Sequence, residues 1–173
     1  NMTLYSDDGK RLLTVKSPYS VFNKEKKIFN LKKTTINLFK DNKTEYVINS
    51  DKSKLSNNNN LIELIGNVVV KNYSKGQDKL YANSFTWSIQ NSEYLLVGNV
   101  KYENDAITLS SNKAILNKDV NMIEFFNPVK YKIKDKNKED IFEINSENAY
   151  YNFDTKSVSF SSRKERVRSK IYF

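Results

Sequence analysis

The stretch Ala82-Asn83-Ser84-Phe85-Thr86-Trp87, then the polar turn Gln90-Asn91-Ser92-Glu93, then Tyr94-Leu95-Leu96-Val97-Gly98-Asn99-Val100, decides the fold. β-branched and aromatic residues dominate both arms and an Asn-containing turn separates them, as in strands. Asn and Asp tolerate left-handed backbone and cap turns with their own side chains, so the turn reads as a hairpin loop between antiparallel strands. The same phrase stands upstream as Ser50-Asp51-Lys52-Ser53-Lys54-Leu55 and Ile62-Glu63-Leu64-Ile65-Gly66-Asn67-Val68, across the turn Asn57-Asn58-Asn59-Asn60.

Working outward, the phrase becomes a five-copy repeat anchored at Ser17, Ser50, Ala82, Ser111 and Ser146, spaced 33, 32, 29 and 35 residues apart. Two residues before each anchor stand Val15, Ile48, Leu80, Leu109 and Ile144; five after stand Phe22, Leu55, Trp87, Leu116 and Tyr151. Twelve after come Phe29, Ile62, Tyr94, Ile123 and Val158; fourteen after come Leu31, Leu64, Leu96, Phe125 and Phe160. The three middle copies add Gly66, Gly98 and Asn127, then Val68, Val100 and Val129. Copies begin near residues 13, 46, 78, 107 and 142 of a single domain spanning 1–173, with a basic C-terminal strand over 162–173. No window carries a clean helical stripe, so the chain reads as all-β.

The repeat also predicts a corner. Apolar positions fall at −2 and 0, then at +3 and +5, so their parity flips. A regular strand cannot hold both pairs on one face, and the chain has to bulge there. Small residues at 0 and +3 in most copies suit a crowded corner. Pro18 in the first copy and Pro128 in the fourth read as non-pairing sites, and Gly66 and Gly98 as bulge positions. Strands bent at a fixed offset wrap a sheet into a sandwich, a jelly roll or a trough; the expectation is ten or so antiparallel strands in two facing, twisted sheets.

Composition narrows the chemistry. The 173 residues include no Cys and no His. That removes disulfides, thiolate metal sites, cysteine nucleophiles and His-dependent triads, and no cofactor is expected. Eleven Tyr, ten Phe and one Trp exceed what disordered chains carry. The first ten residues lack the apolar core of a signal peptide. The net charge is +9, but Lys outnumbers Arg 25 to 4, as a Lys-rich coding habit gives. Residues 1–75 carry +7, residues 76–155 carry −3 and residues 156–173 carry +5.

Small–x–x–small–x–aromatic, a turn, an apolar alternation and Gly-Asn-Val together resemble the OstA-like lipopolysaccharide transport family. The opening Leu4-Tyr5-Ser6-Asp7-Asp8-Gly9-Lys10 is most similar to the periplasmic domain of its LptC component, with the LptA-like bridge protein second. The resemblance covers roughly residues 4–160 and departs from the pattern at Lys33-Thr34-Thr35-Ile36 and Ser162-Arg163-Lys164. It implies a twisted antiparallel β-jelly roll, or open sandwich, built from about five tandem two-strand repeats. It also implies a non-catalytic role: binding lipopolysaccharide in an apolar groove and passing it along a trans-periplasmic bridge. The partners implied are the membrane subunits of an ABC transporter, and an LptA-like protein joined by edge-strand pairing. The location implied is periplasmic, with an inner-membrane anchor formed by an N-terminal helix outside this sequence.

Leu55, Ile62, Leu64, Val68, Phe85, Trp87, Tyr94, Leu96, Val100, Leu116, Ile123, Phe125 and Val129 form an apolar ladder. It reads either as a sealed core, which a structural or adhesive repeat protein without a lipid ligand would have, or as the lining of the groove. In the tail, Lys164, Arg166, Arg168 and Lys170 share one strand face, with Val167, Ile171 and Phe173 on the other. This is a charged edge strand, a partner-docking strand or a contact for anionic head groups. Nucleic acid is not expected as a partner, because the aromatics recur at buried offsets and not among clustered Arg. Ser161-Ser162-Arg163-Lys164 matches S-x-x-K without the helix that motif needs. Asp135-Lys136-Asn137-Lys138-Glu139-Asp140 has the early spacings of a calcium loop without its Gly and final Glu, and reads as a solvated hairpin loop.

Overall fold

The computed structural model describes residues 1–6, 8–56, 61–72, 78–88, 93–135, 137, 139–163 and 166–171. They form β1 (Met2–Tyr5), β2 (Arg11–Lys16), β3 (Tyr19–Asn23), β4 (Ile28–Lys40), β5 (Lys43–Ser56), β6 (Leu61–Asn72), β7 (Lys79–Ser88), β8 (Glu93–Glu103), β9 (Ile107–Asn117), β10 (Met122–Lys134), β11 (Asp140–Asn152), β12 (Val158–Ser161) and β13 (Arg168–Ile171). Every pairing is between antiparallel neighbours, and no described residue is helical. The turns at 57–60, most of 90–93 and parts of 135–140 lie outside the described residues.

The two facing sheets expected from the repeat are two halves of one continuous sheet. Its order is β1-β2-β4-β5-β6-β7-β8-β9-β10-β11-β12, with β3 also on β4 and β13 also on β11. Each long strand crosses the corner and contributes to both layers. The first layer holds β1, β2, β13 and residues such as Ile48, Val70, Leu80, Tyr102, Leu109 and Tyr131; the second holds β3, β12 and residues such as Leu55, Ile62, Trp87, Leu96, Phe125 and Tyr151. Tyr102 on β8 and Tyr151 on β11 are three strand steps apart, about 14 Å across a flat sheet, and Tyr151 lies a further seven residues along β11 from Ile144, the residue in register with Tyr102. Their ring centroids are 4.8 Å apart and Tyr102 Oη donates to Tyr151 Oη at 3.2 Å. Tyr131 and Phe160 likewise meet at 5.3 Å. The sheet is therefore doubled over on its apolar face.

The doubling happens where the parity flips. Ile65 pairs Lys52 and Val69 pairs Asn49, so residues 66–68 stand opposite only 50 and 51. The same one-residue excess recurs at 98–100 opposite 82 and 83, and at 127–129 opposite 111 and 112. This is a β-bulge, and it turns the apolar positions on both sides of the corner inward. Gly66 and Asn67 take φ of +80° and +45°, and Gly98 and Asn99 +78° and +49°. Asn67 Nδ2 donates to Asp51 Oδ2 at 2.7 Å across the corner. Pro128 occupies the unpaired stretch of the fourth corner, after a cis peptide bond, and Pro18 falls between β2 and β3 where pairing is interrupted.

The first copy lacks Gly-Asn-Val and has no excess residue: Lys32 pairs Lys52 and Thr34 pairs Ser50 in unbroken register. Buried Thr34 fills the corner, with its Oγ1 hydrogen-bonded to Ser53 Oγ at 2.7 Å. The neighbouring Ser50 Oγ is buried with no hydrogen-bond partner. An unpaired buried hydroxyl carries its desolvation cost without return. Ser50→Ala should therefore leave stability unchanged or raise it by up to about 1 kcal/mol, whereas Ser53→Ala orphans Thr34 and should cost about 1–3 kcal/mol. Urea unfolding of the two variants measures the contrast, and equal losses would contradict it.

Candidate functional site

Twelve of the thirteen ladder residues are buried in one core between the layers; Leu116 packs against it half-buried. Leu96, Ile123 and Phe125 are wholly out of solvent, and Trp87, at 9% exposure, is the least covered of the twelve. Interdigitated side chains fill most of the space between the layers. Tyr94 stacks on Phe85 with ring centroids 5.5 Å apart and tilts against Trp87 at the same distance.

The interior meets solvent on the side away from the corners, where the free ends of the two layers face each other. A cleft there has a cavity volume of about 70 Å³, small beside the roughly 300–1,000 Å³ of ligand pockets. One wall comes from the first layer, including Leu38, Tyr46, Asp78 and Tyr102; the other comes from the second, including Phe85, Tyr94, Leu116 and Phe153. Phe85, Tyr94 and Leu116 are thus the ladder residues that line this mouth; Leu55, Ile62, Trp87 and Ile123 share the cross-strand row of Tyr94 and Leu116.

Among the described residues, an aromatic cluster and an ion pair bridge the mouth. Phe153 sits edge-on to Tyr102 and Tyr151, with centroids 5.6 and 5.1 Å away. Lys156, on the turn after β11, places its Nζ 3.5 Å from Asp78 Oδ2 at the start of β7. The Asp78 side chain is mostly buried, and that oxygen has no aligned hydrogen-bond donor. Lys156 is half exposed, so the ion pair adds little holding force. The aromatic cluster is the stronger clasp, each ring pair being worth about 0.5–1.5 kcal/mol beyond its buried area.

The phenols of the mouth are neutral at ordinary pH. Burial, helped by the charges of Glu45, Asp78 and Asp154, pushes Tyr46 up to about 12. Burial also pushes Tyr94 up to about 12, with Tyr46, Glu45 and Asp119 adding to it. Burial and the hydrogen bond with Tyr151 raise Tyr102 further still. None of these is a ready phenolate nucleophile. The lining joins aliphatic side chains and aromatic rings carrying neutral hydroxyls, with Asn72, Asp78, Lys79, Lys118 and Asn121 adding polar and charged groups.

Tyr46, Asp78, Tyr102, Phe153 and Lys156 escaped the sequence reading. Tyr46 and Asp78 both fall four residues before an anchor, where the other copies hold Leu13, Ile107 and Phe142. A carboxylate at an otherwise apolar offset was the available signal.

The basic tail lies elsewhere. Arg168 and Lys170 are on β13, which pairs β11 from Asn145 to Phe142; Arg166 precedes it, and all three are exposed. Lys164 and Phe173 lie outside the described residues. Val167 and Ile171 are exposed, and β13 lies at the sheet's margin. Asp135 Oδ1 accepts the N–H groups of Asn137 and Glu139, the capping of a hairpin turn. No cluster of three or more metal-binding acidic side chains occurs among the described residues. Likewise no described helix is long and apolar enough to cross a membrane.

A family model described as "Lipopolysaccharide-assembly, LptC-related" matches residues 1–93. Among solved structures, a similar one is LptH from Pseudomonas aeruginosa, the LptA-homologous periplasmic component of its lipopolysaccharide transport device. The TM-score is 0.58 at 16% identity, with 73% of this chain and 94% of that chain covered. At that identity the likeness is one of fold. No curated protein matches the chain.

Proposed function

Because this chain belongs to the LptC-related lipopolysaccharide-assembly family, we propose that it is a non-catalytic carrier of lipopolysaccharide in the trans-periplasmic export bridge. The observation that supports this most directly is the mouth: an apolar, aromatic cleft at the open side of a doubled sheet, continuous with the ladder behind it. Acyl chains would enter between the layers, gaining roughly 0.8 kcal/mol for each CH₂ removed from water. The ladder residues would line their path once the layers part. No bond is made or broken, in keeping with a chain that has no Cys or His. Directional work would come from an ABC transporter whose membrane subunits hold this chain, itself anchored in the inner membrane by a helix outside this sequence. An LptA-like protein would continue the sheet by pairing with an edge strand, and the sheet leaves β1 and β3 at one margin and β12 and β13 at the other.

The filled interior favours a second reading, a structural repeat protein with a sealed core and no lipid. One experiment separates the two. A photo-crosslinking residue at Tyr94 or Leu116, at the mouth, at Trp87 beside Tyr94, and at Leu64 or Phe125, nearer the corners, should capture lipopolysaccharide in cells. The exposed control Lys54 should not. Capture from Lys54 alone, or from no site, would leave the sealed core standing.

A further inference from the structure

β11 is flanked by two short strands in place of one long neighbour. On the edge away from β10, β12 pairs it over Asn148–Tyr151 and β13 over Phe142–Asn145, so on that edge Ser146 and Glu147 at the corner have no strand partner. The gap is a notch with a cavity volume of about 490 Å³, lined by Ser146, Glu147, Ser162, Arg166, Arg168 and Lys170 among others. Its frame is held by short contacts: Ser162 Oγ accepts the Glu147 N–H at 3.0 Å, and Glu147 Oε2 accepts the Arg163 N–H at 2.9 Å.

We propose that this notch binds a phosphate-class oxyanion. Three observations carry it. Charge is the first: among the described residues, three cationic side chains border the notch against one carboxylate, that of Glu147. Beside it, buried Glu143 is shared by Lys130 and Lys132 at 3.6 and 4.0 Å, and lies directly opposite Lys170 in the register. Arginine usage is the second. The chain has 25 Lys and four Arg, yet three of the four are Arg163, Arg166 and Arg168. A Lys-rich coding habit does not put guanidinium groups there, and the guanidinium fork, unlike an ammonium, grips a phosphate through two parallel hydrogen bonds. Placement is the third. Phe142 and Ile144 of β11 alternate with Glu143 and Asn145, and Ile144 packs toward the core. Arg168 and Lys170 are registered to Asn145 and Glu143, so they project from the outer face. The site is separate from the interlayer mouth and stands whether or not the interior carries lipid.

Phosphate chemistry has two sources here, free inorganic phosphate and the headgroup of an anionic glycerophospholipid. The intact chain should be titrated calorimetrically with inorganic phosphate, and sedimented with phosphatidylcholine vesicles with and without phosphatidylglycerol. Arg166→Gln/Arg168→Gln should weaken binding at least about tenfold, the scale of one lost charge-assisted hydrogen bond. Lys24→Gln/Lys26→Gln, with the same charge removed from a distant turn, should leave binding unchanged. Arg166→Lys/Arg168→Lys should lose affinity although it keeps the charge. Binding of inorganic phosphate identifies a free-anion site, and binding to phosphatidylglycerol vesicles alone identifies a headgroup site. The proposal is overturned if neither probe binds the wild-type chain, if both Gln double variants weaken binding equally, or if the Lys variant binds like wild type.

Discussion

Gly98→Ala should destabilise the domain by about 3 kcal/mol, more than Gly66→Ala and far more than Gly9→Ala. All three glycines have φ near +80°, where an L side chain costs roughly 1–2 kcal/mol. They differ in what a methyl group would meet. At Gly9 nothing lies within 4 Å, so that variant isolates the backbone cost. At Gly66 the nearest atom is Asp51 Oδ2 at 2.7 Å, the far end of a side chain, with Asp51 Cβ at 3.1 Å. At Gly98 the new methyl would stand 2.7 Å from Asn83 Nδ2 and 2.9 Å from Asn83 Cβ. A Cβ cannot step aside without its strand, so overpacking adds about 1–3 kcal/mol. Urea unfolding of the three variants, with m-values checked for constancy, gives the ranking. Equal losses at all three positions would mean that the corner is not tightly packed, and that the bulge is not what folds the sheet over.

That corner was legible because it is periodic. The parity flip between offsets 0 and +3, Val at +18 in three copies, and Gly-Asn at +16 and +17 in two of them (Asn127-Pro128 in the third) are local facts, and each maps onto the observed bulges. Burial of the ladder follows from the same periodicity. The features that stayed hidden are non-local. Alternation shows which face of a strand is buried but not whether two facing layers are one sheet or two; that depends on strands continuing through the bulge, as β5 to β11 do. The contact of Tyr102 with Tyr151 joins residues 49 positions apart that share no repeat offset. The tail's alternation puts cations and apolar residues on opposite faces, and Val167 and Ile171 are exposed because β13 lies at the sheet's margin.

A covalent bridge across the mouth should block lipid carriage while leaving the fold intact. The chain has no Cys, so Asp78→Cys/Lys156→Cys supplies its only two thiols, which a short cleavable bismaleimide can join. Loss of the ion pair itself should cost under about 1 kcal/mol, because Lys156 is half exposed. The linked protein should be more stable, by up to about 4 kcal/mol, since the bridge closes a long loop of the unfolded chain. Parting the layers without a ligand uncovers apolar surface at about 25 cal/mol for each Å², and the ring cluster of Tyr102, Tyr151 and Phe153 opposes it. With an acyl chain present the uncovered surface is covered again, so loading approximates an exchange of one apolar neighbour for another. That exchange still requires the layers to separate, because the resting cleft of about 70 Å³ is too small for a chain. Lipopolysaccharide captured from a photo-crosslinker at Tyr94 should therefore fall at least about tenfold on linking, a barrier increase of 1.4 kcal/mol or more. Capture should return when the linker is cleaved. The unlinked double-Cys protein should load at least as well as wild type, having lost the ion pair that bridges the mouth. Undiminished capture in the linked protein would mean that lipid reaches Tyr94 without the layers parting here.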